Sequence, residues 1–152
     1  MEFDEGAPTD EFTIVNASAS TSITSLRFDL GLAAGDLVFD TESGGSGVEV
    51  YQPFEEVSST ASLDTLPSLL DGDSSLRLEF STFGPGEAFR FTTDIDDRLT
   101  DSALGQIQVT GGELAGAEVV VYWNSRVTLD SGEVTVTFDD SNTIDARLPC
   151  PA

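Results

Sequence analysis

Apolar residues recur at every second position through most of this chain, and Gly, Ser, Thr, Asp and Asn crowd the stretches between the runs. Leu76, Leu78 and Phe80 alternate with Arg77 and Glu79, and Phe89 and Phe91 alternate with Arg90 and Thr92. A period of two is the signature of a strand with one buried face, and helical periodicity is scarce. The pattern predicts an all-β fold: an antiparallel two-sheet β-sandwich, jelly-roll-like, of about ten short strands. The expected strands are Glu11–Asn16, Ser22–Leu30, Leu37–Thr41, Val48–Gln52, Leu76–Thr82, Ala88–Ile95, Gln106–Thr110, Ala117–Trp123, Arg126–Leu129, Glu133–Phe138 and Thr143–Leu148.

Turn residues suggest how some of these strands join. A turn at Gly84-Pro85-Gly86-Glu87 would pair the flanking strands as a hairpin, with Phe80 opposite Phe91, Leu76 opposite Ile95 and Arg77 opposite Asp94 on the outer face. Asp130-Ser131-Gly132 and Asp139-Asp140-Ser141-Asn142 would close two more, the second aligning Phe138 with Ile144 and Val136 with Ala146, so that the C-terminal third forms a meander. Pro53–Ser75 breaks the alternation. Only Leu63–Leu70 hints at a helical turn there, interrupted by Pro67, and a connection of this length in a small domain is usually functional or mobile.

The 152 residues, 39% of them hydrophobic, suffice for one core without disulfides. The expected organisation is an acidic N-terminal tail at residues 1–10, one sandwich domain at 11–148 and a short tail at 149–152. Cys150 is the only cysteine, which excludes an internal disulfide and leaves a tail thiol or an intermolecular link. Asn16-Ala17-Ser18 matches a glycosylation sequon, a pattern short enough to arise by chance. No run approaches the roughly 20 apolar residues of a membrane span, so membrane insertion is not expected.

Charge narrows the function. Twenty-eight acidic residues face six basic ones, all arginine, for a formal net charge of -22. Such a surface repels nucleic acid and anionic membranes, and it is what a protein kept soluble in brine, from a marine or halophilic source, would carry. The absence of histidine removes Ser-His-Asp and Cys-His catalysis and imidazole zinc sites, and the absence of lysine removes Schiff-base chemistry and a P-loop. A carboxylate pair of the glycosidase kind remains the enzymatic option.

Calcium is the other use of clustered carboxylates, because this hard cation takes six to eight oxygens in irregular loop geometry. In Asp94-Ile95-Asp96-Asp97 the first and third acids leave the same face of a strand, roughly 7 Å apart at Cα, and can converge on one ion. Asp97 and Asp101 follow, and Asp71-Gly72-Asp73 precedes the strand expected beside them, so Asp71, Asp73, Asp94, Asp96, Asp97 and Asp101 form the expected metal set. The competing reading is a solvated acidic rim with Arg77 paired to Asp94. For sugar stacking the available rings are Tyr51, Tyr122 and Trp123, with Tyr51 beside the long irregular connection and Trp123 on a strand that reads as buried on both faces.

In its alternation, its turn signals and its Asp94–Asp97 acidic end, the chain resembles the calcium-bearing β-sandwich modules that accompany secreted bacterial enzymes and adhesins. The resemblance implies a non-catalytic extracellular or cell-surface module, ordered by calcium, presenting a shallow surface to a polysaccharide or cell-surface glycan and joined to neighbouring domains of a larger secreted protein. A structural or adhesive domain without sugar binding is the alternative, and a glycoside-processing enzyme the third.

Overall fold

The computed structural model describes residues 1–6, 9–47, 50–98, 109–141, 143–145 and 148. Among them are eleven strands: β1 (Glu2–Asp4), β2 (Asp10–Val15), β3 (Thr21–Asp29), β4 (Leu37–Phe39), β5 (Glu55–Glu56), β6 (Ser62–Leu63), β7 (Ser75–Thr82), β8 (Ala88–Thr93), β9 (Ile95–Asp97), β10 (Glu118–Ser125) and β11 (Ser131–Thr137). Helical structure among these residues is confined to a 3₁₀ turn at Leu30–Leu32 and the single turn α1 at Gly111–Leu114. One sheet has the order β1-β2-β8-β5, the second β11-β10-β3-β7-β6, and β4 and β9 form a separate two-stranded ribbon. Every pairing is antiparallel, and the two main sheets pack as a β-sandwich.

The alternation in the sequence is what fills the space between the sheets. Phe12 stands opposite Phe3 and Phe91, and Ile14 opposite Phe89, along one inner face. Across from them, Leu26 stands between Val121 and Leu78, and Phe28 between Val119 and Leu76. Phe12 stacks on Phe91 with ring centroids 4.9 Å apart, while Phe28 of the other sheet meets both rings edge-on at 5.5 and 5.6 Å. Offset and edge-to-face arrangements of this kind contribute beyond the area they bury.

The expected hairpin at Gly84–Glu87 is not one. β7 bonds to β3 and β6, whereas β8 bonds to β2 and β5, so the turn carries the chain from one sheet to the other. Phe80 consequently meets Phe89 across the sandwich, edge-on at 5.1 Å, and Arg77 pairs with Glu79 rather than Asp94. The local turn chemistry is as expected, with Gly86 at φ +80° and the Glu87 amide donating to the Gly84 carbonyl. Alternation fixes which face of a strand is buried; it does not choose the ladder partner. Phe83, buried just before the turn, fills the end of the core at the crossing.

Other departures are local. Glu2–Asp4, expected as tail, form an edge strand, and Thr143 bridges to Glu2 while Ile144 exchanges hydrogen bonds with Met1, so Ile144 does not stand opposite Phe138. Val127 and Leu129 alternate but are exposed, and Arg126–Leu129 is a connection held by the Ser125 hydroxyl, which accepts from the amides of Val127 and Thr128. Residues 63–70 contain no helical turn. The expected strands at 48–52, 106–110 and 143–148 fall partly outside the described residues, as does the alignment with Ala146, and Cys150 lies outside them.

Candidate metal centre

β4 is apolar along its whole length, Leu37-Val38-Phe39, and all three residues are buried, so the ribbon it forms with β9 lies inside the protein. Its register places Val38 opposite Asp96 and Phe39 opposite Ile95, and the Asp40 amide donates to the Asp94 carbonyl at 3.0 Å, extending the ladder by one pair. Side chains alternate along each strand, so Asp40, Asp94 and Asp96 leave the same face. Each offers a carboxylate oxygen within 4.8 Å of the others. Their exposures are 0%, 3% and 0%.

The loop after β4 closes over them. A Cβ added at Gly47 would sit 2.5 Å from Oδ2 of Asp40 and 2.7 Å from Oδ2 of Asp96, so the glycine lets backbone pass directly above the carboxylates. Asp71 ties the same loop down, accepting from the amides of Thr41 (3.0 Å), Glu42 (3.3 Å) and Ser46 (2.7 Å). Burial alone would raise the Asp71 carboxyl, but these donors hold it below the ordinary value. The segment around Gln52 forms another wall: its amide donates to the Asp40 carbonyl, and its carbonyl accepts from the Asp94 amide at 3.1 Å.

Asp40 is different. Among the described residues neither of its carboxylate oxygens accepts from an N–H or O–H donor, and the side chains against it are the carboxyls of Asp71 and Asp96. Such a contact is favourable only if a proton or a cation lies between the oxygens. Burial first, and then those two neighbours, push Asp40 up to about 7. Burial and the nearby Asp96, Asp10 and Asp40 push Asp94 up to about 9. Asp10, at the start of β2, accepts from the amides of Gly6 and Ile95 at 3.0 Å each, yet burial still raises it to about 7. These are all-oxygen donors with no nitrogen or sulfur among them, the set that suits a hard cation.

Of the six acids expected to bind metal, the structure brings Asp94 and Asp96 together and sets Asp71 against Asp40 at their edge. Asp94 and Asp96 are buried, not on an outer face. Asp97, one position further along β9, leaves the opposite face, and its carboxyl is raised by burial and then by Glu113 and Asp36. Asp73 is engaged elsewhere, accepting from the Leu70 amide at 2.9 Å. Asp101 lies outside the described residues. The residue that sequence reasoning missed is Asp40, and its signal was the acid that ends the wholly apolar run Leu37-Val38-Phe39.

The three rings named for sugar stacking are on separate surfaces or inside. Tyr51 is 40% exposed and sits in the segment beside the acid cluster. Tyr122 is half-buried on β10 with the Arg77 guanidinium 5.4 Å from its ring centre. Trp123 is 9% exposed and packs against Gly132 of β11. Asn16 of the sequon is buried with its side chain fully engaged in hydrogen bonds. Among the described residues no helix is long and apolar enough to cross a membrane.

The chain matches no family model, no curated protein and no solved structure.

Proposed function

We propose that this chain is a non-catalytic β-sandwich module of a secreted or cell-surface protein, locked in its folded form by a calcium ion held by Asp40, Asp94 and Asp96. The observation that carries this reading is Asp40, fully buried with no hydrogen-bond donor among the described residues on either carboxylate oxygen. Three carboxylates packed this closely in a low-dielectric interior repel one another, and a divalent cation offsets both the repulsion and the lost hydration. Calcium suits the site better than magnesium, which demands near-ideal octahedral geometry and keeps several waters, because loop backbone at Gly47 already covers the carboxylates. Extracellular modules bind calcium at about 10⁻⁴ to 10⁻³ M, the range expected here.

Enclosure also argues for a structural ion. An acid pair in glycoside hydrolysis must reach a substrate, and these acids are shut beneath a loop. The ion would fix the segments on either side of Asp40 and Asp71, which carry the exposed Tyr51, Leu66 and Leu70. Leu66 and Leu70, 78% and 66% exposed, are the observation that favours an adhesive or structural module contacting neighbouring domains. Glycan binding is the second reading, and the exposed ring of Tyr51 is the observation in its favour.

Calorimetric titration with calcium and with magnesium, on the wild type and on Asp40→Asn/Asp96→Asn, tests the proposal. One calcium per chain, weaker magnesium binding and loss of calcium binding in the double variant are expected. Absence of calcium binding by the wild type, or equal binding by the variant, would overturn the assignment.

A further inference from the structure

A second site lies at the other end of the sandwich and owes nothing to the carboxylates. Between the sheets is a cavity of about 320 Å³, walled by Ile14 of β2, Ile23 and Leu26 of β3, Val119 and Val121 of β10 and Val136 of β11. Among the described residues no aromatic side chain lines it, although the other part of the core is packed with rings running from Phe3 through Phe12, Phe91 and Phe89 to Phe80 and Phe83. The contrast has a simple origin: stacked sheets lie about 10 Å apart, and short β-branched side chains cannot fill a gap that phenylalanine rings can. The wall residues are fitted to a strand but not to one another across the core.

We infer that this cavity is a binding site for an uncharged aliphatic small molecule of about ten carbons. An apolar cavity of roughly 150 Å³ accepts benzene and stays dry, so twice that volume matches a chain of about this length. A cavity of 320 Å³ also reaches the lower end of the range that ligand pockets occupy. Among the described residues the polar groups of its lining are Asn16, Ser18 and Asp145, with the Met1 ammonium engaged by the Ile144 carbonyl at 2.8 Å. Asn16 and Ser18 are bonded to each other and to the Thr21 carbonyl, so they offer a hydroxyl head little more than one additional bond, and the Asp145 carboxylate, on a chain of net charge -22, disfavours a fatty-acid head. A neutral alcohol fits both ends of the cavity.

Methyl NMR of the wild-type chain titrated with 1-decanol tests the inference directly. Saturable shifts confined to methyls that line the cavity, those of Ile14, Ile23, Leu26, Val119, Val121 and Val136 among them, are expected, and decanoate should bind at least tenfold more weakly. Val136→Phe, which places a ring in the cavity, should raise the melting temperature and weaken decanol binding at least tenfold. Absence of shifts up to the solubility limit, shifts spread over other methyls, or decanoate binding as tight as decanol would overturn it. An unchanged affinity in a folded Val136→Phe variant would do the same, and the wild-type methyl map decides the question if that variant does not fold.

Discussion

Asp10 and Asn16 mark the two ends of one strand, and both are buried, yet they solve burial in opposite ways. The Asn16 amide donates to the carbonyls of Thr21 (2.8 Å) and Phe83 (3.0 Å), while its oxygen accepts from the amide and hydroxyl of Ser18 at 3.1 and 2.7 Å. Nothing further is needed there. Asp10 also has two backbone donors, but it opens onto Asp94 and Asp96, and beyond them Asp40 has none among the described residues. A neutral amide can be satisfied by backbone alone, whereas a group of carboxylates needs positive charge or protons from outside the chain. One end of the fold is thus complete in itself, and the other depends on solution conditions.

The largest expected effect is on pH dependence, which separates the two ends. In the metal-free protein Asp10 and Asp40 are raised to about 7 and Asp94 to about 9, all above the ordinary 3.8. The folded state therefore binds more protons than the unfolded chain, and the stability these groups contribute is full below about pH 4 and is lost as pH rises through 7 and then 9. Each group adds a slope on the order of 1.4 kcal/mol per pH unit within its window. Saturating calcium should replace the protons and flatten that slope, and urea titrations from about pH 4 to 9 with and without calcium measure it. An equal slope in both series would break the comparison.

Substitutions at the two ends should behave as mirror images. Asn16→Ala removes four hydrogen bonds from a buried site, leaving the Thr21 carbonyl to the Ser18 hydroxyl and the Phe83 carbonyl to the Ile23 amide, and should cost about 1 to 3 kcal/mol, the same in calcium and in chelator. Asp40→Asn removes buried charge, so near pH 8 the metal-free variant should be more stable than wild type by about 1 to 3 kcal/mol, while losing the gain of about 2.7 kcal/mol that calcium gives at a hundredfold its Kd. Thermal melts of both variants in each condition provide the test. A calcium-dependent penalty at Asn16 would show that the two ends are coupled.

The smallest effect is expected on the outer face of the five-stranded sheet, where Arg77 pairs with Glu79 and lies over Tyr122. These groups are solvated, so Arg77→Ala should cost less than about 1 kcal/mol, with or without calcium. A loss above about 2 kcal/mol in chemical denaturation would mean that charge matters to this fold well beyond the acid cluster.

How much of this was legible varies residue by residue. Leu76, Leu78, Phe89 and Phe91 announced buried strand faces, and each is in the core. Asp94 and Asp96 were legible as a pair because two acids two positions apart in an extended run leave the same face. Asp40 was not, because it lies far away in the chain and reaches them only through the β4–β9 register. Asp73 and Asp97 looked equivalent to their neighbours in sequence, but one turns to the Leu70 amide and the other to Asp36 and Glu113.

The sequence by itself determined the strand class, the inward faces, the tight turn at Gly86 and the excess of acid over base, since each follows from local periodicity, backbone freedom or composition. Tertiary structure alone decided that β7 and β8 part into different sheets, that Asp40 joins Asp94 and Asp96, and that an aliphatic cavity opens where the rings give out. These depend on which distant segments become neighbours. Ladder partners and cross-sheet packing are chosen by the summed burial of the whole chain, and no local window of residues contains that sum.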